Sequence, residues 1–391
     1  MMKAMTKTFR LLISTGEVSG DLQGSLLIQA LHIAASKRGW CLNIDALGGA
    51  RMQQSGATLL ADTTSLGAIG LIESLPYVKS VLTLQRQLKQ HLKTSPPDLT
   101  LLIDYPGSNV PLAGYLKKHY RCPIIYYIAP QEYVWAFSKE TTRKIVDFTD
   151  QILAIFPQEA KYYTENGAAV EWVGHPLLDA MAKLPTRAQA REQLGIPAQQ
   201  KAIALLPASR TQELRYIFPV LAQAAQHIQA QVPDAHFWIP VALPQFREPI
   251  KAAVEQFGLR ATLSENPQLI LAAADLSIGK SGTANLEAAL LDVPQIVAYR
   301  IHPFNGWLYR KLLRFQVPYI SPVNLVQNAA VVPELVQEDV TPQAITQLAL
   351  ELLKPSATRT QMLQQYGELR AQLGSPGAVG RAAEIILNHL A

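Results

Sequence analysis

The sequence predicts an α/β fold of two doubly wound, Rossmann-like domains facing a cleft, and three observations carry this. Short apolar runs alternate with longer amphipathic segments along most of the chain. The alternation is interrupted around Gly174-His175-Pro176 and then restarts. The 391 residues suit two or three domains at roughly 150 residues each. Strand–helix alternation favours parallel sheets with helices on both faces, and two such sheets place a ligand cleft at their C-terminal strand ends.

In the first half, strands are predicted at Arg10–Ser14, Leu42–Leu47, Leu99–Ile103, Ile124–Ile128, Gln151–Ala154 and Val170–Val173. Helical patterns fall between them at Gln23–Ala35, Pro111–His119, Lys139–Phe148 and Glu159–Asn166. The second half repeats the scheme with strands at Ala202–Leu206, Phe237–Pro240, Leu276–Ile278 and Gln295–Tyr299. Its helices are expected at Arg187–Leu194, Glu213–Val232, Gln268–Ala274 and Thr283–Leu291, then Pro342–Leu353, Arg359–Leu373 and Val379–Leu390. The expected domains are 1–176 and 177–365, with 366–391 closing the fold.

Composition narrows the function. Charged residues are 17% and hydrophobic residues 49%, a globular balance. Lys and Arg exceed Asp and Glu by 35 − 30, or +5. That suits an anionic substrate or membrane surface and is too diffuse to indicate nucleic acid. Cys41 and Cys122 form no C-x-x-C pair, and the eight histidines show no H-x-x-x-H or H-E-x-x-H, so neither a disulfide scaffold nor a zinc site is expected. No apolar run reaches the ~20 residues of a spanning helix. The apolar stretch Phe9–Ile13 is read as a first strand and not a signal peptide. A cytoplasmic chain that touches a membrane from that side is the expectation.

Four segments carry candidate chemistry. Ser14-Thr15-Gly16-Glu17-Val18-Ser19-Gly20-Asp21 is a strand-to-helix turn without the G-x-G-x-x-G fingerprint. Gly16 and Gly20 allow close backbone approach by a ligand, or simply make the turn. Asp104 ends the apolar strand Leu99–Ile103, where a carboxylate can take a proton, hold a substrate or cap the next helix. Arg210 follows Leu205-Leu206-Pro207-Ala208-Ser209; its guanidinium suits a diphosphate, or pairs with Glu213. In Gly279-Lys280-Ser281-Gly282-Thr283-Ala284-Asn285-Leu286-Glu287 a P-loop is excluded, because it would need glycine at Ala274. The better reading is a strand, a small-residue turn and a helix whose N-terminus at Ser281, Gly282 and Thr283 receives phosphates, with Glu287 accepting from ribose hydroxyls. The apolar segment Gly67–Val78, followed by Lys79, Arg86, Lys89 and Lys93, suits either acyl chains at an anionic bilayer or ordinary core packing beside a solvated face. No D-x-D occurs, which disfavours sugar transfer through a metal held by that motif.

Taken together, these stretches resemble lipid-A-disaccharide synthases, bacterial glycosyltransferases of the GT-B fold. The resemblance rests on GEVSGD (Gly16–Asp21), LGGARMQQSG (Leu47–Gly56), GAIGLIESL (Gly67–Leu75), IDYPGSN (Ile103–Asn109), YYIAPQEYVWAF (Tyr126–Phe137), VGHPLLDA (Val173–Ala180), LLPASRTQEL (Leu205–Leu214), SGTANLEAAL (Ser281–Leu290), VAYRIHPFNGWL (Val297–Leu308), ISPVNL (Ile320–Leu325) and PELVQE (Pro333–Glu338). Their order along nearly the whole chain makes the resemblance specific.

The resemblance implies transfer from UDP-2,3-diacylglucosamine to 2,3-diacylglucosamine 1-phosphate, giving a β(1→6) disaccharide and UDP. It further implies inversion, no cofactor or metal, and peripheral contact with the cytoplasmic face of the inner membrane. By the same resemblance Asp104 is the catalytic carboxylate, with Glu17 as the alternative base, and Arg210 the essential arginine. Glu17, Ser19 and Asp21 match the first glycine turn, with Gly16 and Gly20. Asn324 and Glu334 match the nucleotide-binding half. Leu66, Ile69, Leu71, Ile72 and Leu75 are the expected acyl and membrane contacts. Two departures bear on the acceptor. Pro106-Gly107-Ser108-Asn109 replaces the usual Pro-Asp-Phe-Asn, and Val134-Trp135-Ala136-Phe137-Ser138 replaces a run containing Trp-Ala-Trp-Arg. The alternatives are a MurG-like transferase on another glycolipid, a UDP-N-acetylglucosamine epimerase, or a non-catalytic UDP-sugar-binding relative.

Overall fold

A computed structural model of the chain describes residues 7–64, 78–135, 139–207, 211–300 and 319–391. They divide into two compact units, Met1–Asp179 with Leu373–Ala391, and Ala180–Gln372.

The first unit runs β1 (Lys7–Ser14), α1 (Val18–Lys37), β2 (Trp40–Gly48), α2 (Ala50–Gln54), β3 (Thr58–Asp62), α3 (Val78–Thr94), β4 (Leu99–Ile103) and α4 (Pro106–His119). It continues with β5 (Ile124–Tyr127), α5 (Glu132–Trp135), α6 (Lys139–Phe148), β6 (Gln151–Ala154), α7 (Pro157–Glu165) and β7 (Val170–Trp172), and the chain passes into the second unit within α8 (Leu177–Met181). All seven strands are parallel, in the order β3-β2-β1-β4-β5-β6-β7. The chain therefore winds outward in both directions from β1 and β4, which makes the crevice between their C-terminal ends the switch point where ligands bind. The central strands are mostly apolar because helices cover both faces; β4 is buried at every residue, Thr100 included. α1 turns Gly24, Leu27, Ile28, Leu31 and Ala35 toward the core, a helical spacing. Gly39, at φ 69°, then supplies the left-handed turn that ends this helix.

The second unit contains α9 (Arg187–Gln193), β8 (Lys201–Leu206), α10 (Thr211–Tyr216), α11 (Phe218–Gln231), β9 (Ala235–Pro240), α12 (Arg247–Gln256), β10 (Ala261–Ser264) and α13 (Pro267–Ala273). After these come β11 (Leu276–Lys280), α14 (Thr283–Leu290), β12 (Gln295–Tyr299), α15 (Pro322–Gln327), β13 (Glu334–Val336), α16 (Pro342–Leu352) and α17 (Ala357–Gln372). Its six parallel strands follow β10-β9-β8-β11-β12-β13, so β8 and β11 flank a second switch point.

Several local expectations are corrected. The single helix expected over Glu213–Val232 is two, α10 and α11, separated at Ile217. Pro219 opens α11, where its missing N–H costs nothing. The helix expected from Pro111 begins at Pro106 and carries Pro111 inside its second turn. The strand expected to reach Ile128 stops at Tyr127, and Ile128 takes φ 59°. Three edge strands, β3, β10 and β13, were not anticipated.

After α17 the chain returns to the first unit as α18 (Ala378–Asn388). Arg38, just past α1, donates to Glu384 at 2.6 Å and to Asn388 Oδ1 at 2.8 Å. Arg381 donates through Nη2 to the Val173 carbonyl at 2.7 Å. The Asp179 carboxylate accepts from the backbone N–H groups of Gly377 and Val379 and so anchors the start of α18.

Candidate active site

Asp104 stands immediately beyond β4, at the first switch point, with φ 53°. That left-handed conformation costs a non-glycine residue energy, and Asp tolerates it better than most. Three groups hold it in place. The Asp104 N–H donates to the Ile128 carbonyl at 3.0 Å, and its own carbonyl accepts the Tyr126 hydroxyl at 2.5 Å. Asn109, fully buried on α4, donates to the carbonyls of Ile103 at 3.0 Å and Asp104 at 3.4 Å while accepting from Ser14 Oγ at 2.8 Å. Asn109 thereby ties the end of β1 to the end of β4.

Burial, reinforced by the Glu17 carboxylate and opposed by the Tyr105 backbone N–H, pushes the Asp104 carboxyl up to about 7. A carboxylate tuned in this way serves as a general base near neutral pH. Glu17 occupies the residue before α1, on the other side of the same switch point. The structure therefore brings both carboxylates named from the sequence into one electrostatic pair.

The glycine turn is shaped by packing within the protein. A Cβ at Gly16 would lie 2.2 Å from Cδ1 of Tyr105, and one at Gly20 would lie 1.8 Å from Thr15 Oγ1. A Cβ at Gly107 would also come within 2.9 Å of the Tyr105 ring. The Tyr105 ring thus takes the space beside both glycines, which accounts for the small residue at position 107. Asp21 is buried and caps α2: its carboxylate accepts from the N–H groups of Gly49 at 2.9 Å, Arg51 at 3.3 Å and Met52 at 3.1 Å. Ser19 is exposed on the first turn of α1.

One group beside this site was missed by sequence reasoning. Glu159 on α7 is completely buried, and it accepts from the N–H groups of Ala129 at 2.8 Å, Ile155 at 3.0 Å and Phe156 at 3.3 Å. It joins the loops that follow β5 and β6. Burial outweighs these N–H contacts and pushes its carboxyl up to about 8. The available signal was Pro157 followed by Glu159, an N-terminal helix signature. His175, in the stretch where the strand–helix alternation is interrupted, is a structural residue buried against Phe156; its Nδ1 accepts the Leu177 N–H at 3.2 Å, and burial lowers its pKa to about 3. The imidazole is neutral, with its proton on Nε2.

In the second unit the turn after β11 forms as expected, with Gly282 at φ 158° just before α14. Asn285 fixes it by accepting from Gly282 N–H at 2.8 Å and donating to the Lys280 carbonyl at 3.3 Å. Thr283 is exposed at the first position of the helix. Ser281 Oγ donates to the Ile320 carbonyl at 2.8 Å. Glu334 accepts from the N–H groups of Ile320 at 2.8 Å and Ser321 at 2.7 Å and from Asn324 Nδ2 at 2.8 Å. Asn324 Oδ1 accepts from Val331 and Val332 N–H, both at 2.9 Å. Ser281, Asn324 and Glu334 therefore form one network linking β11 to β13. Glu287 accepts from Gln268 Nε2 at 3.2 Å, and burial raises its carboxyl pKa. Glu213 pairs with Lys280 at 3.3 Å.

Arg210 lies outside the described residues, as do Leu66, Ile69, Leu71, Ile72 and Leu75, and Ala136 to Ser138. Among the described residues no helix is long and apolar enough to cross a membrane.

Comparison with known proteins now decides the family. The model of the lipid-A-disaccharide synthetase family matches residues 11–386. The chain belongs to this family. The lipid-A-disaccharide synthase of Gloeothece citriformis is 51% identical over 383 residues, covering 97% of this chain and 100% of that protein. The lipid-A-disaccharide synthase of Prochlorococcus marinus is 50% identical over 386 residues, covering 97% and 98%. The lipid-A-disaccharide synthetase family makes this chain a glycosyltransferase of lipid A biosynthesis. Solved structures support the GT-B fold alone. A UDP-GlcNAc 2-epimerase from Neisseria meningitidis bound to UDP-GlcNAc matches with a TM-score of 0.59 at 14% identity, over 97% of this chain and 99% of that one. The calicheamicin glycosyltransferase matches with a TM-score of 0.59 at 14% identity, over 99% and 100%.

Proposed function

We propose that the chain joins UDP-2,3-diacylglucosamine to 2,3-diacylglucosamine 1-phosphate with inversion at the anomeric carbon. The acceptor hydroxyl oxygen attacks that carbon, the bond to the diphosphate oxygen breaks with its electron pair leaving on UDP, and the hydroxyl proton passes to Asp104. The observation that carries this reading is the Asp104 carboxyl itself, fixed at a switch point and pushed up to about 7. An ordinary aspartate is a weak base, and this environment corrects that. In the second unit the N-terminus of α14 and Arg210 stabilise the diphosphate as its charge develops; one preorganised donor of this kind commonly contributes ~3 kcal/mol. The first unit receives the acceptor, and the segment containing Leu66–Leu75 meets the cytoplasmic face of the inner membrane.

The test is UDP release from the purified chain, given UDP-2,3-diacylglucosamine with and without 2,3-diacylglucosamine 1-phosphate in detergent. Acceptor-dependent release with a disaccharide product is expected. UDP binding with no acceptor-dependent release would overturn the assignment of these substrates.

A further inference from the structure

A cavity of about 170 Å³ opens in the first unit where the C-terminal ends of β1 and β2 meet α3 and α4. Its walls are mainly apolar and include Leu47, Leu84, Leu88, Leu112 and Tyr115. His91 Nε2 and Asp45 Oδ2, 2.9 Å apart, tie α3 to β2. The volume is close to the roughly 150 Å³ of an engineered apolar cavity that takes benzene, which gives space for about six carbons.

Two features relate this cavity to the reacting groups. Ser14, on its wall, donates to Asn109, which in turn holds the Asp104 carbonyl. Ser108, also on the wall, stands four positions after Asp104, and its buried Oγ has no hydrogen-bond partner among the described residues. A buried hydroxyl without a partner costs free energy that a ligand carbonyl can recover.

From this we infer that the cavity is an acyl-chain subsite of the acceptor: it takes one segment of hydrocarbon chain, and Ser108 Oγ donates to the carbonyl that joins chain to sugar. The subsite rests on the transfer reaction proposed above for the identity of the lipid. It assigns the preference for chain length to Leu84, which is partly buried on α3.

The test compares the full-length wild type with Leu84→Trp and Leu84→Ala, using acceptors of graded acyl length. Each methylene that enters an apolar site is worth about fourfold in kcat/KM. The wild type should gain by that factor per methylene up to its preferred length. Leu84→Trp should shorten the preferred length and Leu84→Ala should lengthen it, a movement in opposite directions that a general loss of stability does not produce. The same three proteins are titrated with a fluorescent fatty acid displaced by alkyl glucosides of graded length. Turnover with one unchanged length preference in all three overturns the subsite and leaves the transfer reaction standing. Absence of turnover, with displacement that still follows the variants, overturns the reaction and keeps the subsite. Displacement that ignores the variants, with no turnover, overturns both.

Discussion

Replacing Asp104 separates activity from stability, because one environment governs both. Its carboxyl rises from an ordinary value of 3.8 to about 7, a difference of ~3 pH units or ~4 kcal/mol at 1.36 kcal/mol per unit. The base works only when ionised, so kcat/KM should fall tenfold per pH unit below about 7. The folded state prefers the protonated carboxyl, so this stabilisation is complete below the ordinary value and is lost as pH rises through about 7. Asp104→Asn should therefore lose roughly 10²–10⁴-fold in kcat/KM at about pH 8. At that pH the variant should also unfold at higher denaturant concentration, by up to ~4 kcal/mol, a ceiling that residual solvent contact lowers. Near pH 4 most of this gain should vanish. Glu17→Gln removes the neighbouring carboxylate, the smaller of the two causes that raise the Asp104 value, so its acid limb should move to lower pH with turnover retained. The assays are pH profiles of UDP release and urea titrations. Asp104→Asn within tenfold of the wild type, or loss of turnover in Glu17→Gln with an unshifted Asp104→Asn enzyme, would refute Asp104 as the base and transfer the role to Glu17.

Other perturbations follow from the same contacts. Asn109→Leu unties Ser14 and two carbonyls at the Asp104 turn and should cost ~1–3 kcal/mol in a urea titration, with kcat falling more than UDP binding measured by calorimetry. Gly16→Ala drives a Cβ into the Tyr105 ring and should cost ~1–3 kcal/mol; Gly16→Ala/Tyr105→Ala should recover part of it, and a purely additive double variant would count against the steric account. Asp21→Ala exposes three N–H groups at the start of α2 and should cost about 1–2 kcal/mol by thermal unfolding. Asn324→Ala leaves Val331 and Val332 N–H unpaired and should cost ~1–3 kcal/mol; because the network reaches Ser281, UDP affinity should weaken as well.

Much of this design was legible in the residues, and the gaps have physical reasons. The central strands announced themselves because helices on both faces make them short, mostly apolar runs, as in β4. β10, with the sequence Ala-Thr-Leu-Ser, and β13, only three residues long, are edge strands half-open to solvent and carry little pattern. Asp104 was located from its place after an apolar run, but not its φ of 53°, which depends on Tyr126 and Asn109 reaching back from β5 and α4. Gly16 and Gly107 read as room for a ligand or as a bare departure from the family pattern. Only the Tyr105 ring between them shows what each makes room for. Glu159 was readable only as a residue of a helix start; its burial runs against composition rules, and its three N–H partners come from two loops.

The return of α18 to α1 has a consequence for biosynthesis. Asp179 meets Gly377 across 198 positions of chain, and the whole second unit lies between them. A ribosome adding ~5–20 residues per second needs roughly 10–40 s to cover that distance. For that interval the nascent first unit has its sheet and α1, but the surface meant for α18 is uncovered. The second unit, continuous in sequence, can complete its fold before the first does. The order in which the two halves mature is thus the reverse of the order in which they begin, and α18, emerging after the second unit, closes the unit that was started first.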